Sequence, residues 1–232
     1  MPGGPPPSTG WPAVYILDTP QYRRALAALR RLGELPGAVV GIGYAGEDAR
    51  EQDYTPGDGP GRADQFVDFL HNDVLSAVQA QAGVPLDPRR RTLCGHSLGA
   101  LLGMYALYRE SPAFSGYVLS SPSVWWADRP AHRWAQEVAA RARWQGATQV
   151  WLSVGEHEQG LSPQEQHQPA AYRAAQAARR GARQMVDGAR ELAEVLSRQP
   201  GLALHFRLLA GCSHGDASEQ SLAAGWRTIL GL

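Results

Sequence analysis

Gly95-His96-Ser97-Leu98-Gly99 reads G-x-S-x-G. It follows the apolar run Arg91 to Cys94 and precedes a small-residue helical pattern from Leu98 to Glu110. A serine on a sharp strand-to-helix turn needs small residues on both sides, and the turn lifts its hydroxyl clear of the sheet. The N-terminus of the following helix adds positive potential, and the Leu98 N–H, where an oxyanion would form. A serine at its ordinary pKa is a weak nucleophile and needs a base. Seven histidines compete. His71 and His205 fall inside a helical and a strand pattern, and adjacency is expected to turn the His96 side chain away from Ser97. His132, His157 and His167 also compete. His214 lies in Gly211-Cys212-Ser213-His214-Gly215, between the last strand pattern and the last helix. That is where the base belongs in the chain order Ser, acid, His. The acid is expected after the strand Val150 to Val154, in Gly155-Glu156-His157-Glu158. The G-x-x-E spacing favours Glu158. Glu156, or a Ser97–His214 dyad with no acid, stays open. Such chemistry needs no metal and no cofactor.

Something must hold these three residues together. Apolar strand-like runs alternate with helical patterns along the whole chain. Val14–Leu17 precedes a helix from Gln21 to Leu32; Ala38–Ile42 precedes a turn-rich loop from Tyr44 to Gly61. Phe66, Phe69, Leu70, Val74, Ala77 and Val78 fall on one helical face. Asp87-Pro88 is expected to break the chain before the strand Arg91–Gly95. Tyr117–Ser120, a helix from Pro130 to about Arg143, and Val150–Val154 follow. A polar loop runs from Glu156 to Pro169, then one long Ala/Arg helix from about Ala170 to Ser197, read as solvated with a thin core-facing stripe. Leu202–Leu209 and a helix from Ser218 to Leu230 close the chain. Strands that are apolar throughout rather than alternating are buried on both faces. They predict a mostly parallel sheet of about six strands with helices on both faces. Residues 1–12 read as a flexible Pro/Gly-rich segment and 13–232 as a single domain.

Composition excludes several function classes. The chain has 232 residues, with 22 basic and 22 acidic side chains. A net charge of zero argues against nucleic acid or an anionic membrane as partner. All the basic residues are Arg, so Schiff-base and lysine-nucleophile chemistry is absent. No apolar run approaches the ~20 residues of a membrane span. Met1–Gly10 has no signal-peptide pattern, and Cys94 and Cys212 fit no zinc or CxxC spacing, so a cytoplasmic address with reduced, buried thiols is expected.

With Ser97, Glu158 and His214 placed, the chain resembles the putative esterase family of α/β-hydrolases, and within it the siderophore-esterase branch. The residues carrying the resemblance are Val39–Tyr44, Arg50 with Asp53-Tyr54-Thr55-Pro56, Gly61–Phe66, Cys94–Ala100 and Ser120-Ser121-Pro122-Ser123-Val124-Trp125-Trp126. The similarity runs from about Val14 to the C-terminus. It implies an α/β-hydrolase fold. Family members usually carry an antiparallel hairpin ahead of the first strand, which here is shortened or missing. The family's first strand usually ends Asp-Gly-Asn, and N–H groups just after it complete the oxyanion hole. Here the text is Asp18-Thr19-Pro20-Gln21. Pro20 has no N–H, so Leu98 is one expected donor and the second comes from Thr19, from Gln21 or from elsewhere. The Tyr44–Gly61 loop and Trp125-Trp126 follow strand ends, the side where ligands bind. Arg50 is expected to meet an anionic substrate group and Tyr54, Trp125 and Trp126 to stack on substrate rings, with structural packing of the aromatics and a solvated Arg50 as the alternative. The function the resemblance implies is a serine carboxylic-ester hydrolase working through an acyl-enzyme on a small-molecule ester, of siderophore type. An acyltransferase of the mycolyltransferase kind would share the triad. A non-catalytic binding protein would share only the fold.

Overall fold

The computed structural model describes residues 5–31, 37–56, 61–109, 113–141 and 148–231. Six strands form one sheet in the order β2-β1-β3-β4-β5-β6. They are β1 (Trp11–Leu17), β2 (Ala38–Ile42), β3 (Leu86–His96), β4 (Gly116–Ser120), β5 (Thr148–Gly155) and β6 (Leu202–Leu209). Every pairing is parallel. Among the described residues no antiparallel hairpin covers β2, which is left as the edge.

Side chains of a strand alternate between faces, and here both faces are apolar. Val14 and Ile16 join Cys94, Val118 and Trp151 under α1 (Thr19–Arg31) and α9 (His214–Leu230). Tyr15, Leu17, Leu93, Leu119 and Leu152 face the larger core on the other side. That side is covered by α5 (Leu98–Tyr108), α6 (Pro130–Arg141) and α8 (Met185–Ser197). Helix α5 is buried nearly all round, as its unbroken run of apolar and small residues requires. The periodic segment near Phe66 forms α3 (Ala63–Phe69) and α4 (Leu75–Gln81), joined through a π-helical turn at Leu70–Val74. Before them a short helix, α2 (Arg50–Asp53), lies in the turn-rich loop. Among the described residues no helix is long and apolar enough to cross a membrane.

Five expectations are corrected. Asp87-Pro88 does not break the chain: β3 starts at Leu86, and a register shift against Trp11–Ala13 absorbs the proline. The long Ala/Arg helix is two helices. Gln184, left-handed at φ 46°, separates α7 (Ala170–Arg183) from α8. α1 begins at Thr19, because a proline is tolerated in a helix's first turn. α9 begins at His214, four residues early, with Ser213 and Asp216 forming a reciprocal cap. Trp11 and Pro12 belong to β1 rather than to the N-terminal segment. The expected helix ends at Leu32, Glu110 and Arg143 lie outside the described residues.

Candidate active site

Parallel strands put all their C-terminal ends on one side of the sheet, where open α/β sheets bind ligands. Asp18 follows β1, Ser97 follows β3, Ser121 follows β4, Glu158 follows β5 and His214 follows β6. Residues remote in sequence therefore meet at one edge.

Ser97 takes φ 58° and ψ −118°. A non-glycine residue there is strained by about 1–3 kcal/mol and persists only where its surroundings hold it. They do: the Ser97 N–H donates to the Ser120 carbonyl at 3.0 Å, and its carbonyl accepts from the N–H groups of Leu101 and Ser123. Gly95 makes the turn possible. A Cβ on it would lie 2.2 Å from the Gly99 carbonyl oxygen. Gly95→Ala should therefore cost about 1–3 kcal/mol or more. An unchanged urea-unfolding midpoint would contradict this packing.

His214 Nδ1 sits 2.6 Å from Glu158 Oε2. The carboxylate is itself fixed. Its Oε1 accepts from the Ser121 hydroxyl at 2.5 Å and from the Gly155 N–H at 2.7 Å. Glu158 is 4% exposed. Gly155 is needed for the approach of the two loops, since a Cβ there would fall 2.6 Å from the Cys212 carbonyl oxygen. Glu156 points elsewhere and accepts from the Gly211 N–H at 2.8 Å. It braces the His214 loop without touching the imidazole.

Ser97 and His214 line the same cleft, of about 510 Å³, with Thr19, Arg50 and His96. The serine hydroxyl is 3.3 Å from the Ser123 hydroxyl. Thr19 and Leu98 are each the first residue of a helix, so neither N–H has an intrahelical acceptor. The two helix starts are close: a Cβ on Gly99 would lie 3.6 Å from Asp18 Oδ2.

His96 does not turn out of the site. Its ring lies 4.4 Å from that of His214, centroid to centroid. Its Nδ1 is 3.1 Å from Ser120 Oγ, whose hydroxyl donates to the Ala217 carbonyl at 3.5 Å. Burial, with the His214 charge beside it, brings the His96 pKa down to about 3. His96 is thus a neutral wall against which the His214 ring rests. The Ser-Ser-Pro-Ser run after β4 supplies Ser121 and Ser123. Only its match to the family marked it in the sequence, because hydroxyl partners have no spacing rule.

The residues expected to bind substrate separate. Arg50 lines the cleft, but its guanidinium holds Asp18 at 3.2 and 3.0 Å. Tyr54 is fully buried beneath that pair, with Arg50 over its ring at 5.6 Å and Phe66 at its edge. It packs where stacking on a substrate was expected. Trp125 and Trp126 both pack against the core, and Trp125 also borders a second, smaller cavity beside Ser97. Cys94 and Cys212 are free and buried, and burial raises both thiols. A thiol reagent should modify neither in the native protein and both after unfolding; fast native labelling would contradict their placement. Among the described residues no cluster of metal-ligating side chains occurs.

A parallel sheet with a serine elbow after β3 and a carboxylate–histidine pair after β5 and β6 defines an α/β-hydrolase-like protein. The Putative esterase family model matches residues 1–193, and the chain belongs to that family. It is 38% identical over 135 residues to the siderophore triacetylfusarinine C esterase of Aspergillus fumigatus, covering 50% of this chain and 45% of that protein. It is 30% identical over 152 residues to the ferri-bacillibactin esterase BesA of Bacillus subtilis, covering 54% and 52%. The matches thus span about half the length of these curated relatives. Among solved structures, siderophore hydrolase EstB from Aspergillus nidulans superposes with a TM-score of 0.83 at 27% identity, over 94% of this chain and 82% of that one. The BES protein from Bacillus cereus does so with a TM-score of 0.74 at 26% identity, over 99% and 86%.

Proposed function

We propose that this protein is a serine carboxylic-ester hydrolase acting through an acyl-enzyme on siderophore-type esters. The observation that carries the reading is the buried Glu158 carboxylate 2.6 Å from His214 Nδ1, in the cleft that Ser97 lines. The hydroxyl of Ser97 turns from Ser123 toward His214 and attacks the ester carbonyl carbon, passing its proton to Nε2. Hydrogen bonds at catalytic centres are often long before substrate binds, so the resting Ser97–Ser123 contact is compatible with this step. The Leu98 and Thr19 N–H groups donate to the oxyanion. The bond to the leaving oxygen breaks as His214 returns the proton, and water then releases the acyl group by the same route. Glu158 holds Nδ1–H and stabilises the imidazolium. The names of the relatives support a siderophore ester as substrate. We place the reaction in the cytoplasm, where Cys94 and Cys212 would stay reduced.

A panel of short p-nitrophenyl esters and a trilactone siderophore, assayed by product release, tests this reading. Turnover of the trilactone above that of the simple esters is expected. No turnover of any ester would refute it.

A further inference from the structure

The second cavity beside Ser97, of about 80 Å³, is walled by Trp125, His157 and the α7 arginines Arg179, Arg180 and Arg183. Helix α7 has no buried residue. Its half-buried positions are Arg173, Gln176, Arg180 and Arg183, spaced three or four apart on one face. A helix packed on a core turns apolar residues inward; α7 turns charged and amide groups inward instead. Arg173 Nε and Gln176 Oε1 are buried there without hydrogen-bond partners. Of this face, Arg180 and Arg183 border the space of the cavity.

The charges in that space do not cancel. Arg180 is neutralised by Glu165, at 2.7 and 2.8 Å. Glu158, the carboxylate of the cavity wall, is engaged by His214, Ser121 and Gly155. Among the described residues neither Arg179 nor Arg183 has an ion-pair partner. Arg183 is instead held 4.3 Å over the centre of the Trp125 ring. Burial and the neighbouring Arg179 charge lower the Arg183 pKa, as two uncompensated cations require. On the other side of Ser97 the cleft is balanced, with Asp18 and Asp48 against Arg24 and Arg50.

We propose that Arg179 and Arg183, with the Trp125 ring, form a specificity subsite for an anionic arm of the ester substrate. Carboxylate or phenolate oxygens of that arm meet the two guanidiniums, and its apolar part lies against the indole. The proposal rests on the esterase reading above and adds a charge preference to it.

Two esters matched in length and leaving group isolate that preference: the p-nitrophenyl monoester of adipic acid and p-nitrophenyl hexanoate. The ratio of their kcat/KM values should favour the anionic ester about tenfold, the scale of one partly exposed charged hydrogen bond. It should decline as salt screens the arginines. R179Q and R183Q should each lower the ratio severalfold, and R179Q/R183Q should bring it to about one. A ratio near one in the wild type, or one the double variant leaves unchanged, overturns the subsite. Calorimetric binding of salicylate against salicylamide to the Ser97→Ala protein reads the subsite without turnover. Salicylate should bind more tightly, and R179Q/R183Q should abolish the difference; equal binding of the two overturns the subsite. Salicylate preference in a protein that hydrolyses no ester would refute the esterase reading alone. Hydrolysis with no charge effect would refute the subsite alone.

Discussion

Ser97→Ala is expected to reduce ester hydrolysis by about 10⁶-fold, and His214→Ala by a similar factor, with the double variant no worse than either single one. The expectation follows from the proposed division of labour. A hydroxyl without a base and a base without a hydroxyl both leave only the oxyanion donors and substrate binding to accelerate the reaction. The Ser97→Ala fold should survive, because the backbone bonds that hold the elbow involve the N–H and carbonyl of residue 97, not its side chain. Single-turnover and steady-state rates on a p-nitrophenyl ester give the three numbers. A double variant slower than either single one by orders of magnitude would mean that the two residues act independently. Turnover within tenfold of wild type for Ser97→Ala would remove the nucleophile assignment.

Glu158→Gln should cost about 10⁴-fold in kcat, a loss in line with turning the base histidine into the wrong tautomer. The surrounding donors dictate how the amide would sit. The Ser121 hydroxyl and the Gly155 N–H both donate to Oε1, so the amide oxygen takes that position. Its NH₂ group is then aimed at His214 Nδ1, where Oε2 now lies at 2.6 Å. Nδ1 must become an acceptor, the proton moves to Nε2, and Nε2 can no longer take the serine proton. Glu156→Gln keeps an acceptor for the Gly211 N–H and should change kcat less than about tenfold, the effect of a loop brace. The pH dependence of kcat in both variants checks the assignment. If Glu156→Gln is the crippling one, the loop geometry is wrong; if both stay near wild type, the enzyme works as a Ser97–His214 dyad.

The parts of this site set by backbone geometry were legible in the sequence. G-x-S-x-G marks a turn that only small residues allow, and the close approach at Gly95 is its structural cause. The G-x-x-E spacing after β5 reads out the same way, because Gly155 both yields space to the Cys212 loop and donates to the glutamate three residues on. Both-face burial of the strands gave the parallel sheet. Side-chain direction was not legible. His96 adjoins Ser97 in sequence, and adjacency argued only that it points away from Ser97; no spacing announced that the end of β3 lays its ring on His214. Tyr54 and Arg50 matched a substrate-binding pattern, but Asp18 claims the arginine and the core claims the tyrosine. The Ala/Arg run from Ala170 to Ser197 has helical composition throughout. No residue type in it announces that Gln184 adopts a left-handed conformation, and that one dihedral separates α7, with its arginines beside Ser97, from α8.

Labelling with a fluorophosphonate probe tests the central claim most directly, since it requires an activated serine and no knowledge of the substrate. One probe per chain should attach, on the tryptic peptide from Thr92 to Arg109 that contains Ser97. Ser97→Ala and His214→Ala should abolish it. An unmodified intact mass, or an adduct on a serine other than Ser97, would contradict the account.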